Sequence, residues 1–146
     1  MKKNILLIIV IFLGFLRSVQ AGPSNINSLT VYKTLSFSDS SIVEVAKGST
    51  FYLLADTDSP NPQTNPADIF YAQVIHSSNP FDTVFIKMTQ DVSDSKLYKS
   101  EIITLTGEGL SNSQLNQIGI KTSSGETISF YYNSIEFDSL IVSISL

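Results

Sequence analysis

Short runs of alternating apolar and polar residues, separated by turn-forming residues, make up most of the chain after residue 21. In residues 82–89, for example, Val84, Ile86 and Met88 recur at every second position. A period of two places successive side chains on opposite faces of a β-strand, whereas a helix repeats every 3.6 residues. About eight such runs, at a spacing of roughly ten residues, predict an all-β sandwich.

The apolar positions of these runs predict the core. One stretch, residues 98–106, also fits helical spacing, so a helix there stays open as an alternative to a strand. The predicted core residues are Phe51, Leu53, Phe70, Val74, Val84, Ile86, Ile102, Ile128, Phe130 and Val142.

The N-terminal segment has the three-part layout of a secretory signal. Two lysines follow Met1, an apolar run occupies residues 5–16, and Val19-Gln20-Ala21 offers a small-residue cleavage site. The run has twelve residues, whereas a membrane span needs roughly 20. We therefore expect a signal peptide at residues 1–21, a single domain at residues 22–146, no membrane span after cleavage, and a secreted or cell-surface location. An uncleaved signal anchor is the alternative.

Charge and composition exclude several classes of protein. Loss of Lys2, Lys3 and Arg17 with the signal leaves six basic residues against 13 acidic ones, a net charge of −7. Nucleic-acid binding needs clustered Lys and Arg, so we expect no nucleic-acid partner. Cysteine is absent, which excludes disulfides, thiolate metal sites and a cysteine nucleophile. The polar residues 23–28 are expected to be loose.

Residues 56–68 form the longest stretch without a strand pattern, with three prolines and several oxygen-bearing side chains. Calcium binds six to eight oxygen ligands in irregular geometry. Asp56, Asp58 and Asp68 are therefore candidate calcium ligands, with Asn61 and Asn65 beside them. In the alternative interpretation, Asp56 caps a strand end and the remainder is a solvated turn.

Catalytic motifs are weak. The single histidine, His76, precedes two serines, but no G-x-S-x-G turn presents a nucleophile. We expect His76 to be either a rim histidine or a hydrogen-bonded one, and the protein not to be an enzyme. Five tyrosines could stack on a sugar, although tyrosine is also a common strand residue. They are Tyr52, Tyr71, Tyr98, Tyr131 and Tyr132.

The strand-like run at residues 140–146 is expected to be the last core strand. A sandwich that begins and ends in strands exposes edges, and exposed edges can pair between copies. Assembly of a homo-oligomer through edge strands is therefore the second interpretation of this run.

Several segments between residues 47 and 133 share the pattern of a known module: a glycine followed by a strand, an acid-x-acid loop, short turns, and a closing aromatic strand. The segments are residues 48–52, 55–58, 67–70, 77–84, 104–107 and 124–132. This pattern resembles the immunoglobulin-like repeat module of bacterial exported, surface-layer and adhesin-type proteins, here in one copy.

The resemblance implies an immunoglobulin-like β-sandwich of about 7–8 antiparallel strands. It also implies an exported structural or adhesive module of the cell surface, without catalytic activity, whose partners are surface proteins or further copies of the chain. A calcium-dependent or carbohydrate-binding module is the alternative, with calcium as its cofactor or a glycan as its partner.

Overall fold

The computed structural model describes residues 22–39, 42–62, 67–81, 83–106 and 119–143. All regular structure in these ranges is β, which confirms the predicted all-β class, and residues 98–106 form strands and no helix. The predicted signal peptide lies outside the described residues. The strands are β1 (Ser28–Tyr32), β2 (Glu44–Ala46), β3 (Thr50–Asp56), β4 (Ile69–His76), β5 (Val84–Gln90), β6 (Leu97–Ser100), β7 (Ile103–Thr106), β8 (Gly119–Lys121), β9 (Thr127–Tyr132) and β10 (Ile135–Ser143).

The strands pair in the order β2-β10-β9-β4-β5-β6-β3-β7-β8, and β1 pairs with β3. The described residues form ten strands, more than the expected 7–8. Several of these strands are only three to five residues long. Pairing is antiparallel except at the two ends of this order, where β2 runs parallel to β10 and β8 runs parallel to β7. The expectation of antiparallel pairing throughout is therefore wrong for these two pairs. Parallel neighbours cannot be joined by a tight hairpin and need a longer connection.

A break between β6 and β7 corrects one core prediction. The Ser100 side chain accepts a hydrogen bond from Leu53 N at 2.9 Å, where a ladder would use a backbone carbonyl. Beyond this break, Ile103 pairs with Phe51 and is buried, whereas Ile102 is 45 % exposed. Ile102 was predicted to be a core residue, and this prediction is wrong because the break turns its side chain outward.

The other nine predicted core residues are buried, and the alternation of burial along β3, β4, β5 and β9 follows the period of two. Phe51 on β3 contacts Phe130 on β9, with ring centroids 5.9 Å apart. These two strands are well separated in the pairing order, so their inward faces meet across one core. At about 25 cal/mol per Å² of apolar surface, such burial is the main stabilising contribution.

The two flanks of the fold meet at β1 and β10. Val31 N donates to Asp138 Oδ2 at 3.0 Å, and Asp138 follows a β-bulge in β10. The segment before β1 is also packed: Ile26 is buried, and Tyr132 Oη donates to the carbonyl of Pro23 at 2.5 Å. The expectation that residues 23–28 are loose is wrong, because Ile26 supplies an apolar anchor in an otherwise polar segment.

Candidate functional site

A polar pocket of about 180 Å³ lies at the end of β4. It forms where the β4–β5 turn meets β8 and the turn that leads into β9. Every side chain that lines it among the described residues is polar or charged. The lining residues are His76, Ser78, Asn79, Lys121, Thr122, Ser123 and Glu126.

Glu126 is the buried carboxylate of this pocket. Gly125, with a φ of 80°, makes the turn that precedes it, and Val142 N donates to the Glu126 carbonyl at 2.8 Å, which fixes the backbone against β10. Its side chain accepts a hydrogen bond from Ser78 Oγ at Oε1 and one from Ser123 N at Oε2, the latter at 2.9 Å. A buried carboxylate requires partners of this kind, since an unpaired charge away from water is strongly unfavourable.

His76 faces the same carboxylate. Its Nδ1 lies 3.1 Å from Glu126 Oε1, and each of the two side chains is only 3 % exposed. Ser78 donates to the carboxylate and not to the imidazole, so these three residues do not form the hydroxyl–imidazole–carboxylate relay that activates a serine nucleophile. Of the two expectations for His76, a rim position or a hydrogen-bonded side chain, the second is confirmed: the imidazole is buried in the pocket wall and bonded to Glu126.

Thr122, also on the lining, has a buried hydroxyl. The residue is 3 % exposed, and its Oγ1 is buried with no hydrogen-bond partner. Lys121, the preceding residue, also lines the pocket. The pocket therefore combines hydrogen-bond donors and acceptors with charges of both signs, an arrangement suited to a small polar ligand.

The burial of His76 and Glu126 could have been predicted from the sequence. Along β4 the buried positions are 70, 72, 74 and 76, and along β9 they are 128 and 130, so the same phase places His76 and Glu126 on the core side. Thr122 could not be found this way, because it lies in a turn without a period.

The predicted calcium ligands are not brought together. Asp58 is 74 % exposed and lies 3.8 Å from Lys96 Nζ, Asp56 ends β3 half-buried, and Asp68 is fully buried. Within the described ranges, no three acidic or histidine side chains are grouped as a metal site. Asn65 lies outside those ranges, and the calcium site stays a prediction.

Asp68 belongs instead to a buried polar cluster beneath the proline-rich loop. Its Oδ2 accepts hydrogen bonds from Tyr98 Oη at 2.8 Å and from Asn61 Nδ2 at 2.9 Å. Gln90 donates to the carbonyl of Asn61 at 2.8 Å. Burial, together with the bond to Asp68, raises the pKa of Tyr98 well above its ordinary range. The cluster thus attaches the loop to the sheet, so Asp68 is not part of a solvated turn.

Two of the five candidate sugar-stacking tyrosines lie on the outer surface of the sheet. Gln73 on β4 is paired with Tyr131 on β9 and with Phe85 on β5, while Tyr71 is paired with Lys87. Each of Tyr71, Gln73, Phe85 and Lys87 lies between two buried residues, Tyr131 follows buried Phe130, and Tyr71 is 36 % exposed. We call these five residues the outer aromatic face.

The other three tyrosines are engaged elsewhere. Tyr98 is buried at Asp68, and Tyr132 is bonded to Pro23. Tyr52 stacks edge-on against Phe37, with ring centroids 6.3 Å apart. Only Tyr71 and Tyr131 therefore remain as sugar-stacking candidates among the five.

Fold and sites together define an all-β protein with a small polar pocket at one end and an aromatic outer face. Among the described residues, no helix has the length and apolar character to cross a membrane. Comparison of the chain with protein-family models, with curated proteins and with solved structures gives no match. The resemblance to an immunoglobulin-like surface module therefore continues as a hypothesis.

Proposed function

We propose that this protein is an exported adhesive module of the cell surface, without catalytic activity, that binds carbohydrate chains through its outer aromatic face. The observation that carries this proposal is the arrangement of Tyr131, Gln73 and Phe85 in one cross-strand row, with Tyr71 diagonal to it. Residues two positions apart on neighbouring strands lie about 7–8 Å apart, within reach of one ligand.

The chemistry of this face favours a glycan. Aromatic rings offer apolar planes to the C–H face of a sugar, while an amide and an ammonium group supply hydrogen bonds to its hydroxyls. Tyr131 Oη donates to Glu136 Oε2 at 2.8 Å, which raises the pKa of Tyr131 and anchors its ring to β10. An aromatic side chain that is already ordered loses less entropy when it binds.

The proposed architecture is an immunoglobulin-like sandwich. The contact between Phe51 and Phe130 supports two facing layers, because their strands are distant in the pairing order. The meeting of β1 and β10 at Val31 and Asp138 supports the closure of those layers at one side.

Edge pairing between copies has less support than glycan binding by the outer aromatic face. The terminal strands of the pairing order, β2 and β8, have three residues each. Short edges offer few free backbone groups and are one means by which sheets avoid association. Self-assembly through edges is a separate hypothesis, which sedimentation of the secreted product checks.

The test uses the product secreted by cells that express the full chain, first identified by its N-terminal residue, which the proposal expects to be Gly22. The product is applied to a glycan array. We expect binding to a subset of glycans and its loss in Tyr71→Ala, with Phe81→Ala as the matched control, since Phe81 is 94 % exposed and lies outside the face. An array without binding, or equal binding by both variants, would contradict glycan recognition by this face.

A further inference from the structure

We propose that the outer aromatic face prefers glycans that carry an anionic group, a carboxylate or a sulfate, and that Lys87 binds this group while Tyr71 stacks on the sugar ring. The inference rests on the glycan binding proposed above and names the class of glycan. Three features of the face carry it: the pairing of Tyr71 with Lys87, the charge of Lys87, and the position of Glu136.

Tyr71 and Lys87 are direct partners on neighbouring strands, β4 and β5. At the start of the same ladder, Gln90 N donates to the carbonyl of the opposite residue, Asp68, at 2.8 Å. Hydrogen-bonded and non-hydrogen-bonded pairs alternate along an antiparallel ladder, so Tyr71 and Lys87 form a non-hydrogen-bonded pair, in which the two Cα atoms are only about 4.5 Å apart. A sugar ring that stacks on Tyr71 is therefore within reach of the flexible Lys87 side chain.

Lys87 presents its charge on the outer surface of the sheet. It lies between buried Ile86 and Met88, which places its own side chain on the opposite, outward side. Among the described residues, no hydrogen bond or ion pair to the Lys87 side chain is found, whereas Lys96 and Lys99 pair with aspartates. The ammonium group is therefore available to a ligand. Its charge-assisted hydrogen bond to an anion is about twice as strong as a hydrogen bond between neutral groups.

The acidic end of the face lies over β10. Glu136 is the cross-strand partner of Tyr131 and accepts the hydrogen bond of its hydroxyl at 2.8 Å. Strands β9 and β4 separate β10 from β5, so Glu136 and Lys87 are three strand spacings apart, roughly 14 Å. Glu101, directly after β6, is exposed and forms no ion pair with Lys87. We therefore expect a bound glycan to place its anionic sugar at Tyr71 and a neutral sugar near Glu136.

The expected preference is modest. An ion pair that is exposed to solvent contributes little, and lysine offers a point charge without the planar fork of arginine. The chain as a whole is acidic, but physiological salt screens charges beyond about 8 Å, so the groups next to the ligand dominate. We expect anionic glycans to bind about three- to tenfold more tightly than neutral glycans of the same backbone.

The experiment applies the secreted product of the full chain to an array that carries each neutral glycan beside its sialylated and its sulfated form. Lactose, sialyllactose and sulfolactose repeat the comparison in solution, where amide chemical shifts give the affinities. We expect both anionic forms to bind more tightly, and their ranking separates carboxylate from sulfate. Equal binding, or tighter binding of the neutral forms, would overturn the preference and leave the proposed glycan binding in place.

Lys87→Gln is the decisive variant, because glutamine keeps a long polar side chain and removes the charge. It should lower the affinity for anionic glycans to that for neutral ones, whereas Lys87→Arg should retain the preference. Lys47→Gln is the matched control, since Lys47 is exposed in the turn between β2 and β3 and its loss changes the net charge equally. A preference that survives Lys87→Gln, or that is lost equally in Lys47→Gln, would overturn the role of Lys87.

Tyr71→Ala separates this inference from the proposed function. If the face binds glycans, this variant should lose neutral and anionic glycans alike, whereas Lys87→Gln should lose only the advantage of the anionic ones. Urea denaturation of each variant checks that it is folded. An array pattern unchanged by Tyr71→Ala would contradict glycan binding by the face and the inference with it. Loss of all binding in Tyr71→Ala, with neutral and anionic glycans bound equally by the parent, would reject the anionic preference alone.

Discussion

Asp68 is the side chain on which the proline-rich loop depends. It is fully buried, and Tyr98 Oη and Asn61 Nδ2 would both lose their bond to its carboxylate if that group were removed. Hydrogen bonds to charged groups contribute about 1.5–3 kcal/mol each, and stranded buried donors are unfavourable. This one residue therefore connects the loop to the start of β4 and to β6.

We expect Asp68→Ala to lower the free energy of unfolding by about 2–4 kcal/mol, because the buried Tyr98 hydroxyl and the partly buried Asn61 amide both lose a charged acceptor. Asp58→Ala is the matched control: its carboxylate is 74 % exposed, and an exposed ion pair contributes about 0–1 kcal/mol. Urea denaturation of both variants checks the difference. Equal losses would show that Asp68 is not the anchor of the loop.

The same loop shows how far residue-level prediction reaches. Composition marked residues 56–68 as a stretch without a central strand, since proline cannot donate to a ladder. Residues 57–62, 67 and 68 form no strand in the structure, whereas Asp56 ends β3. Composition could not tell which aspartate faces the core, because burial of Asp68 depends on Tyr98, 30 positions further along the chain. His76 and Glu126 differ in this respect, since the period of two in their own strands already assigns their side.

At the scale of elements, the connection between β5 and β6 is held by a charged group. Asp91 pairs with Lys99, and its carboxylate accepts a hydrogen bond from Ser93 N at 2.7 Å. The hydrogen bond from Lys99, followed by those from Ser93, lowers the pKa of Asp91 below its ordinary value of 3.8, although burial opposes the shift. The ionised form of Asp91 is thus favoured by folding.

This shift has a defined consequence for acid stability. A carboxyl whose pKa is lower in the folded state contributes stability above the pKa of the unfolded chain, and the contribution is lost as the pH falls towards the folded value. We expect the free energy of unfolding to decrease below about pH 4, and to decrease less in Asp91→Asn. Urea titrations at a series of pH values measure both slopes.

Asp58→Asn serves as the control for this slope, since its carboxylate is exposed and only weakly paired. It should follow the parent protein. Identical slopes for Asp91→Asn and the parent would contradict the assigned role of Asp91.

Strand positions were the most predictable elements, because alternation is a local property of the sequence. The break at Ser100 was not predictable, since it exists only where a serine hydroxyl can replace a carbonyl opposite Leu53, 47 residues away. The parallel pairing of β2 with β10, and that of β8 with β7, likewise depends on a partner outside the strand's own sequence. Register within a strand is therefore readable from the chain, whereas the neighbour of each strand is not.

At the scale of the whole molecule, Asp138 joins the two flanks of the fold. It accepts the hydrogen bond of Val31 N, 107 residues away, at a point where the β-bulge in β10 redirects the strand. No ladder joins β1 to β10, so this carboxylate takes the place of a backbone acceptor.

We expect Asp138→Ala to lower stability by about 1–2 kcal/mol and to speed hydrogen exchange at the Val31 amide more than at amides of β4. Native-state exchange measured by NMR follows both amides at once. Asp39→Ala is the control, because Asp39 bonds only to Thr34 within an exposed loop. Unchanged protection of Val31 would mean that other contacts close this side of the fold.

The parallel pairing of β2 with β10 also sets an order in which strands can pair during synthesis. Glu44 meets Ile141, so an early strand has its neighbour far along the chain. A ribosome releases the early part first, and distant pairings are slow to form. The β2–β10 pair therefore forms only after β10 has been synthesised, whereas the pairing of β1 with β3 needs no residue beyond Asp56.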